Sequence, residues 1–248
     1  MATYTFETMT QADANAFDGG DTLNFASTAP ANVVVAIDPL GFTSVTVGTL
    51  TRNFPDGTLQ DSGTVIKFTA GEDSFLEVGG NNADTILTSG ADTYVYGFNG
   101  DDSIGAGAGD DFLFGGAGAD TISASNGNDY VYGGADGDII DGGSGADHLY
   151  GFALTGTLTL DGDDNINGGE GNDYVQGNAG EDDLSGGNGN DRLNGGADND
   201  EINGDDGSDT VNGNKGDDFI SGDDGNDSLR GGQGDDSISG GADNDTLI

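Results

Sequence analysis

The stretch "GGAGADTISASNGNDYVYGGADGDIIDGG", residues 115–143, has an aspartate at every ninth residue and an aliphatic residue two places after each aspartate. We number each nine-residue word so that this aspartate is its sixth residue. A tandem period of this kind predicts a repeat architecture in which each unit packs against its neighbours. Sixteen words in two runs share the acid, at Asp102, Asp111, Asp120, Asp129, Asp138 and Asp147, and then at Asp164, Asp173, Asp182, Asp191, Asp200, Asp209, Asp218, Asp227, Asp236 and Asp245.

The eighth residue of every word is isoleucine, leucine or valine. The three residues around it alternate outward, inward and outward, which predicts a short strand with one buried side chain. The six preceding residues are rich in glycine and predict a loop that ends in the carboxylate. Two words then form one flattened coil of 18 residues with two facing strands. Successive coils are expected to stack as parallel strands about 4.8 Å apart.

Such stacking places the sixth-place aspartate of one coil over that of the next. Two carboxylates so close cannot both stay ionised unless a cation lies between them. Carboxylate and main-chain carbonyl oxygens suit Ca²⁺, whereas Mg²⁺ prefers to keep its water ligands. The predicted calcium ligands are the sixteen aspartates above together with Asp84 of the looser word "GGNNADTIL".

The charge of the chain leads to the same conclusion. Its 248 residues include 46 acidic and only 5 basic ones, for a formal charge of −41. Repulsion among these acids opposes compaction unless a cationic partner binds, and it argues against a nucleic-acid partner.

The sequence has no cysteine, no stretch that predicts a transmembrane segment and no cleavable signal peptide at its start.

The words resemble the calcium-binding nonapeptide repeats of the RTX (repeats-in-toxin) proteins, G-G-x-G-x-D-x-U-x, closely over residues 97–150 and 159–248 and loosely over 79–96. The resemblance implies an all-β fold, a right-handed parallel β-roll, with folding triggered by external calcium and type I secretion. It is strongest for small secreted proteins of the surface-layer or matrix type. Some sites are placed in doubt by non-glycine residues at the second place (Phe98, Asn178, Asp205, Asn214 and Asp223) and at the fourth place (Asp136, Asp198 and Asp243).

One buried aliphatic side chain per word cannot offset the backbone entropy lost by nine ordered residues. Metal binding that exists only in the folded state is therefore expected to drive folding. If each ion lies between loops two words apart, the chain binds at least twelve Ca²⁺. Extracellular modules bind Ca²⁺ at about 10⁻⁴ to 10⁻³ M, so we expect an unfolded chain inside the cell and a folded chain outside.

The composition divides the chain into five segments. Residues 1–70 contain all three prolines and alternating stretches, which predict a small β-rich domain that caps the first coil or recruits a partner. Residues 71–96 are degenerate repeats, 97–150 hold six words and 159–248 hold ten. The interruption "GFALTGTL", residues 151–158, either replaces one half-coil or forms a bulged surface loop.

Aromatic residues recur at a spacing of 18 in the first coils, and the outer side of one face is expected to show them as two stacked columns. They form a candidate interaction surface for a cell-surface polysaccharide or a partner protein. Two alternatives remain open: the N-terminal domain folds back over the rings, or the rings only stabilise the stack by cross-strand packing. The columns are Tyr94, Phe112, Tyr130 and His148, and Tyr96, Phe114, Tyr132 and Tyr150.

No enzyme is expected, because the sequence has no cysteine, no "HExxH" and no "GxSxG", and His148 belongs to the aromatic columns. The third place of the words holds no row of threonines, which argues against ice binding.

We therefore expect a secreted structural protein that polymerises head to tail into a filament, surface layer or biofilm matrix. The alternative is a module of a larger adhesin, toxin or enzyme. The initial Met and the end at "GGADNDTLI" favour a complete small protein, with truncation as the alternative.

Overall fold

The computed structural model describes residues 79, 82–88, 90, 92–152 and 161–248, and the backbone of seven strands before residue 79. All of its described elements are β-strands. In these residues no helix is long and apolar enough to span a membrane. The early strands are β1 (Thr3–Thr5), β2 (Thr22–Asn24), β3 (Val33–Ile37), β4 (Thr43–Val47), β5 (Leu50–Phe54), β6 (Ile66–Thr69) and β7 (Ser74–Val78).

The later strands alternate between two sheets. The first sheet contains β8 (Thr85–Leu87), β10 (Ser103–Ala108), β12 (Thr121–Asn126), β14 (Ile139–Ser144), β16 (Asn165–Glu170), β18 (Asp183–Asn188), β20 (Glu201–Asn203), β22 (Phe219–Ser221) and β24 (Ser237–Ser239). The second contains β9 (Asp92–Asn99), β11 (Phe112–Ala117), β13 (Tyr130–Ala135), β15 (His148–Phe152), β17 (Tyr174–Ala179), β19 (Arg192–Ala197), β21 (Thr210–Lys215), β23 (Ser228–Gln233) and β25 (Thr246–Leu247), preceded by β7 and β6.

Neighbouring strands within each sheet are parallel and in register. Ile104 pairs with Ile122 in the first sheet, and Leu113 pairs with Val131 in the second. The eighth-place side chains point inward from both sheets, and those from Ile86 to Leu229 are at most 2% exposed. The core is therefore two facing columns of aliphatic residues. This confirms the predicted coil of 18 residues and the all-β parallel β-roll.

The strands are longer than the sequence predicted. A typical strand such as β10 spans six residues, because it continues through the first three residues of the next word. Gly107 pairs with Ser125, and Ala108 pairs with Asn126. For the six-residue strands the prediction of a three-residue strand and a six-residue loop is therefore wrong, because the glycine-rich start of the next word lies in the sheet and the loop is only the fourth to sixth places. The strands β8, β20, β22 and β24 have the predicted three residues.

The interruption does not replace a half-coil. Ile140 of β14 pairs with Ile166 of β16, so the strands on either side of the interruption occupy consecutive coils. The extra residues are inserted in the connection between β15 and β16, which agrees with the loop alternative. Residues 153–160 themselves lie outside the described residues.

The backbone at the second and fourth places is left-handed. A Cβ added at Gly116, whose φ is +127°, would collide with the carbonyl oxygen of Phe98 in the preceding coil. The non-glycine residues at the second and fourth places keep this conformation, with φ of 79° at Phe98 and 87° at Asn178. Ser125, which the sequence analysis overlooked, also has a φ of 83°. These words retain the fold and hold some backbone strain.

The N-terminal strands pair in several ways. β3, β4 and β5 form an antiparallel sheet, and β1 pairs with β2. β6 and β7 form an antiparallel pair, and β7 lies parallel to β9. The second sheet of the roll is thus extended by β7 and β6 at its N-terminal edge.

We predict that Gly134→Ala destabilises the calcium-loaded protein more than Gly90→Ala does. Both glycines have positive φ, but a Cβ at Gly134 would collide with the carbonyl of Gly116, whereas Gly90 has open space around it. The conformational cost common to both is about 1–2 kcal/mol, and overpacking adds about 1–3 kcal/mol at Gly134. Chemical denaturation in Ca²⁺ measures the difference. Equal losses of stability would contradict the close-approach argument.

Candidate metal centre

Each sixth-place aspartate ends a three-residue loop at one edge of the roll and turns its side chain inward. Asp102 is 2% exposed and Asp129 is fully buried. The same row of aspartates runs along each of the two edges, from Asp102 to Asp218 on one and from Asp111 to Asp227 on the other, with at most 3% exposure at every member. Buried carboxylates of this number need partners that compensate for their lost hydration.

One oxygen of each carboxylate has a partner in the main chain. The Asp102 N–H donates to Asp120 Oδ1 at 2.8 Å, and the Asp120 N–H donates to Asp138 Oδ1 at 2.8 Å. The ladder crosses the interruption, where the Asp138 N–H donates to Asp164 Oδ1 at 2.7 Å. Every coil therefore contacts the next through a hydrogen bond from backbone to carboxylate.

Among the described residues, the other oxygen has no hydrogen-bond partner. An unpartnered buried carboxylate oxygen costs about 1–3 kcal/mol or more, so a row of them is incompatible with a stable fold unless another species binds. Fourteen aspartates share this unpartnered Oδ2: Asp102, Asp111, Asp120, Asp129, Asp138, Asp147, Asp164, Asp173, Asp182, Asp191, Asp200, Asp209, Asp218 and Asp227.

The first-place glycine leaves space beside this oxygen. A Cβ added at Gly115 would collide with Asp120 Oδ2 and would lie 2.5 Å from the carbonyl oxygen of Gly133. A Cβ added at Gly213 would likewise collide with Asp218 Oδ2. A carboxylate oxygen and, at Gly115, a main-chain carbonyl oxygen of the following coil thus converge where a side chain would otherwise be.

Two words have alanine at this place. Ala106 and Ala124 are fully buried and belong to the core. Their methyl groups take the position that is free beside the first-place glycines, next to Asp111 and Asp129. In the coil before them the sixth residue is Thr93 instead of aspartate. One edge of the first coils is therefore less suited to cations than the rest of the roll.

The donor set fits calcium. Among the described residues, no three His, Cys, Asp or Glu side chains converge on one point. An ion between coils must therefore combine carboxylates with main-chain carbonyl oxygens. A ligand set made only of oxygens, with several of them carbonyls, is the set that Ca²⁺ accepts.

Burial raises the pKa of the ladder carboxyls. Desolvation, opposed by the N–H of Asp120 and reinforced by Asp164, raises the pKa of Asp138 to about 9. Desolvation likewise raises the pKa of Asp164 and Asp200 to about 8. The charged form of these groups is unfavourable in the cation-free roll, so each must bind a proton or share a cation.

A second ladder at the fifth place was missed from the sequence. The Asn128 N–H donates to Asp110 Oδ1 at 2.8 Å, and the Asp110 N–H donates to Asp92 Oδ1 at 2.9 Å. The acceptor lies in the preceding coil, so this exposed ladder runs opposite to the buried one. The recurrence of Asp and Asn at the fifth place was the available signal.

The eight aromatic residues lie on the outer side of the second sheet. The ring centroids of Tyr130 and His148 are 4.6 Å apart, and those of Tyr132 and Tyr150 are 4.8 Å apart. Tyr174, which the sequence analysis missed, continues the stack at 5.8 Å from His148. The insertion lengthens its spacing, which concealed it from a search for a constant period of 18. We call these nine residues the aromatic ladder.

A family model, the RTX calcium-binding nonapeptide repeat, matches more than half of the chain, at residues 78–113, 106–140, 114–149, 159–193, 185–220 and 212–247. The matched segments contain both rows of buried aspartates. No curated protein matches the chain.

We predict that the cation-free roll loses stability as the pH rises. The aspartate pKa is raised from 3.8 to values between about 6 and about 9 in the folded chain, so the folded state binds more protons than the unfolded state across this range. Circular dichroism in chelator should show strand content falling progressively as the pH rises from about 4 to about 9. With millimolar Ca²⁺ the strand content should persist. A pH-independent signal in chelator would contradict the carboxylate ladder.

We predict that Asp120→Asn weakens calcium-dependent folding, while Asp110→Asn does not. Asparagine at residue 120 can still accept the Asp102 N–H, but it lacks the charge that a cation requires. The calcium midpoint of folding should rise on the order of tenfold, because ligand charge tunes affinity over decades. Asp110 is exposed and belongs to the outer ladder, so its variant is the matched control. Equal midpoints for both variants would exclude Asp120 as a ligand.

Proposed function

Because this chain belongs to the family of RTX calcium-binding nonapeptide repeat proteins, we propose that it is a secreted structural protein. It folds on external Ca²⁺ and assembles head to tail into an extracellular filament, surface layer or biofilm matrix. RTX repeats bind calcium and are typically extracellular, and the roll they form is a structural module.

The observation that supports calcium-triggered folding is the set of fourteen buried Oδ2 atoms without a protein partner. When bound, Ca²⁺ supplies the positive charge that these carboxylates lack. The affinity of extracellular calcium modules, about 10⁻⁴ to 10⁻³ M, would keep the chain unfolded in the cytosol. An unfolded chain suits passage through a type I channel, and we propose that route for its export.

We propose a number of bound ions on the basis of the ladders. Fifteen pairs of sixth-place aspartates are joined from coil to coil by hydrogen bonds from backbone to carboxylate. Alanine lies beside Asp111 and Asp129, which weakens the case for two positions. The remaining pairs support at least twelve Ca²⁺ per chain.

Head-to-tail assembly is supported by the last coil. The core residue Leu229 is fully buried, whereas Leu247 is 50% exposed and Ile248 is 74% exposed. In the described residues, β24 and β25 each have a partner strand on one side only. A second molecule that packs on this coil would cover the apolar residues and complete both sheets.

We propose no catalytic role, because His148 is stacked between Tyr130 and Tyr174.

Electron microscopy of the purified protein tests the assembly. We expect filaments or sheets in millimolar Ca²⁺ and none in chelator. Leu247→Asp should shorten or abolish the assemblies, since it places a charge on the surface that the next molecule covers. Phe219→Asp is the matched control, because Phe219 is 66% exposed but lies on a broad face of the coil before the last.

Monomers of wild-type protein in Ca²⁺, folded by circular dichroism, would refute head-to-tail assembly while leaving calcium-driven folding intact. An equal effect of Leu247→Asp and Phe219→Asp on filament length would show that the last coil is not the contact.

A further inference from the structure

The two broad faces of the roll differ in charge. Between β9 and β25, no residue at the outward seventh, ninth, second or third places of the second sheet is acidic. The same face holds all three basic residues of the roll, Arg192, Lys215 and Arg230, which are exposed. We call it the acid-free face. In a chain with 46 acidic residues, such a face is not expected from composition.

The face formed by the first sheet holds acids at the equivalent places, and we call it the acidic face. Its first three strands, β8, β10 and β12, hold no acid at these places. Leu87 in β8 is 65% exposed, and Ile139 in β14 is 55% exposed. Its acids are Asp141, Glu170, Asp183, Glu201, Asp205, Asp206, Asp223 and Asp224.

We propose that the acid-free face of one copy packs against the acidic face of a second copy, with the two rolls parallel and in register. Because each copy has both faces, the contact is heterologous and repeats. It joins rolls side by side, whereas the head-to-tail contact joins them along their axis.

The coils of the two faces match one another along the roll. Arg192 in β19 shares its coil with Asp183 in β18, and Lys215 in β21 shares its coil with Glu201 in β20. In-register stacking therefore brings each cation close to acids of the neighbouring copy. Antiparallel stacking would instead place Lys215 and Arg230 over β12 and β10, which hold no acid at these places.

The aromatic coils match in the same way. Leu87 in β8 shares its coil with Tyr94 in β9, and the exposed Ile139 in β14 shares its coil with His148 in β15. Parallel stacking would cover Leu87 and Ile139 with the aromatic ladder of the neighbour. Rings against aliphatic side chains bury apolar area on both copies.

The size of the faces suits a stable contact. At about 3.3 Å per residue and about 4.8 Å between strands, the nine strands of the first sheet cover roughly 670 Å², and the nine strands from β9 to β25 cover roughly 810 Å². A standard protein interface buries about 800 Å² per partner. The strongly acidic loops lie at the edges, and at physiological salt their repulsion is screened beyond about 8 Å.

A charge-swap experiment tests the proposal on the full-length protein in Ca²⁺. The first variant carries Arg192→Glu, Lys215→Glu and Arg230→Glu. The second carries Asp183→Lys, Glu201→Lys and Asp206→Lys. All six side chains are exposed and lie outside the calcium ladder. At the substituted positions each variant alone places like charges opposite one another, and an equimolar mixture places opposite charges there.

We expect side-by-side association, measured by sedimentation and by the width of assemblies in micrographs, to be lost in each variant alone and recovered in the mixture. Arg52→Glu is the control, because Arg52 lies in β5, which belongs to neither sheet of the roll. Circular dichroism in Ca²⁺ confirms that each variant is folded.

Three results would overturn the proposal: no side-by-side association of the wild type, unchanged association of either triple variant, or no recovery in the mixture of folded variants. The inference requires a calcium-folded roll but not the head-to-tail contact. Single-width filaments from a triple variant would show that only the lateral contact failed, whereas lateral pairs without filaments would show that only the axial contact failed.

Discussion

The roll depends on burying one carboxylate in nearly every half-coil. Its Oδ1 accepts a main-chain N–H of the preceding coil, which fixes the spacing of the coils, while its Oδ2 has no protein partner. The core between the sheets is only two aliphatic columns wide, so it cannot outweigh both the entropy of the chain and the burial of these acids. The solution outside the protein therefore decides the fold, through the cations or protons that it provides.

Glycine has different physical roles at different places of the word. At the first place it leaves the space beside Oδ2 empty, as at Gly115, and a methyl group is found there at Ala106 and Ala124. At the second place it allows a left-handed backbone against a carbonyl of the preceding coil. Asn178 and Asp205 adopt that conformation without glycine, at a cost in backbone strain.

The period of the sequence predicted the coil of 18 residues, the buried Ile, Leu and Val column and both aspartate rows, because each follows from one residue type at one place. It did not predict the length of the strands, since glycine in β10 pairs with Ser125 although its propensity for strands is low. It also missed Tyr174 and the fifth-place ladder. The first depends on where eight extra residues are inserted, and the second on a backbone geometry that composition does not reveal.

The aromatic ladder occupies the coils in which one calcium row is weakest. Thr93 replaces an aspartate there, and Ala106 and Ala124 fill the space beside Asp111 and Asp129. Rings at one place of successive words lie near the strand spacing of about 4.8 Å, and the Tyr96 and Phe114 centroids are 4.8 Å apart. Aromatic pairs add about 0.5–1.5 kcal/mol each. Stacked rings thus supply contacts between coils where bound Ca²⁺ ions supply fewer. Farther along the roll, where the rows of glycine and aspartate are complete, the same places hold amide and basic side chains instead of rings.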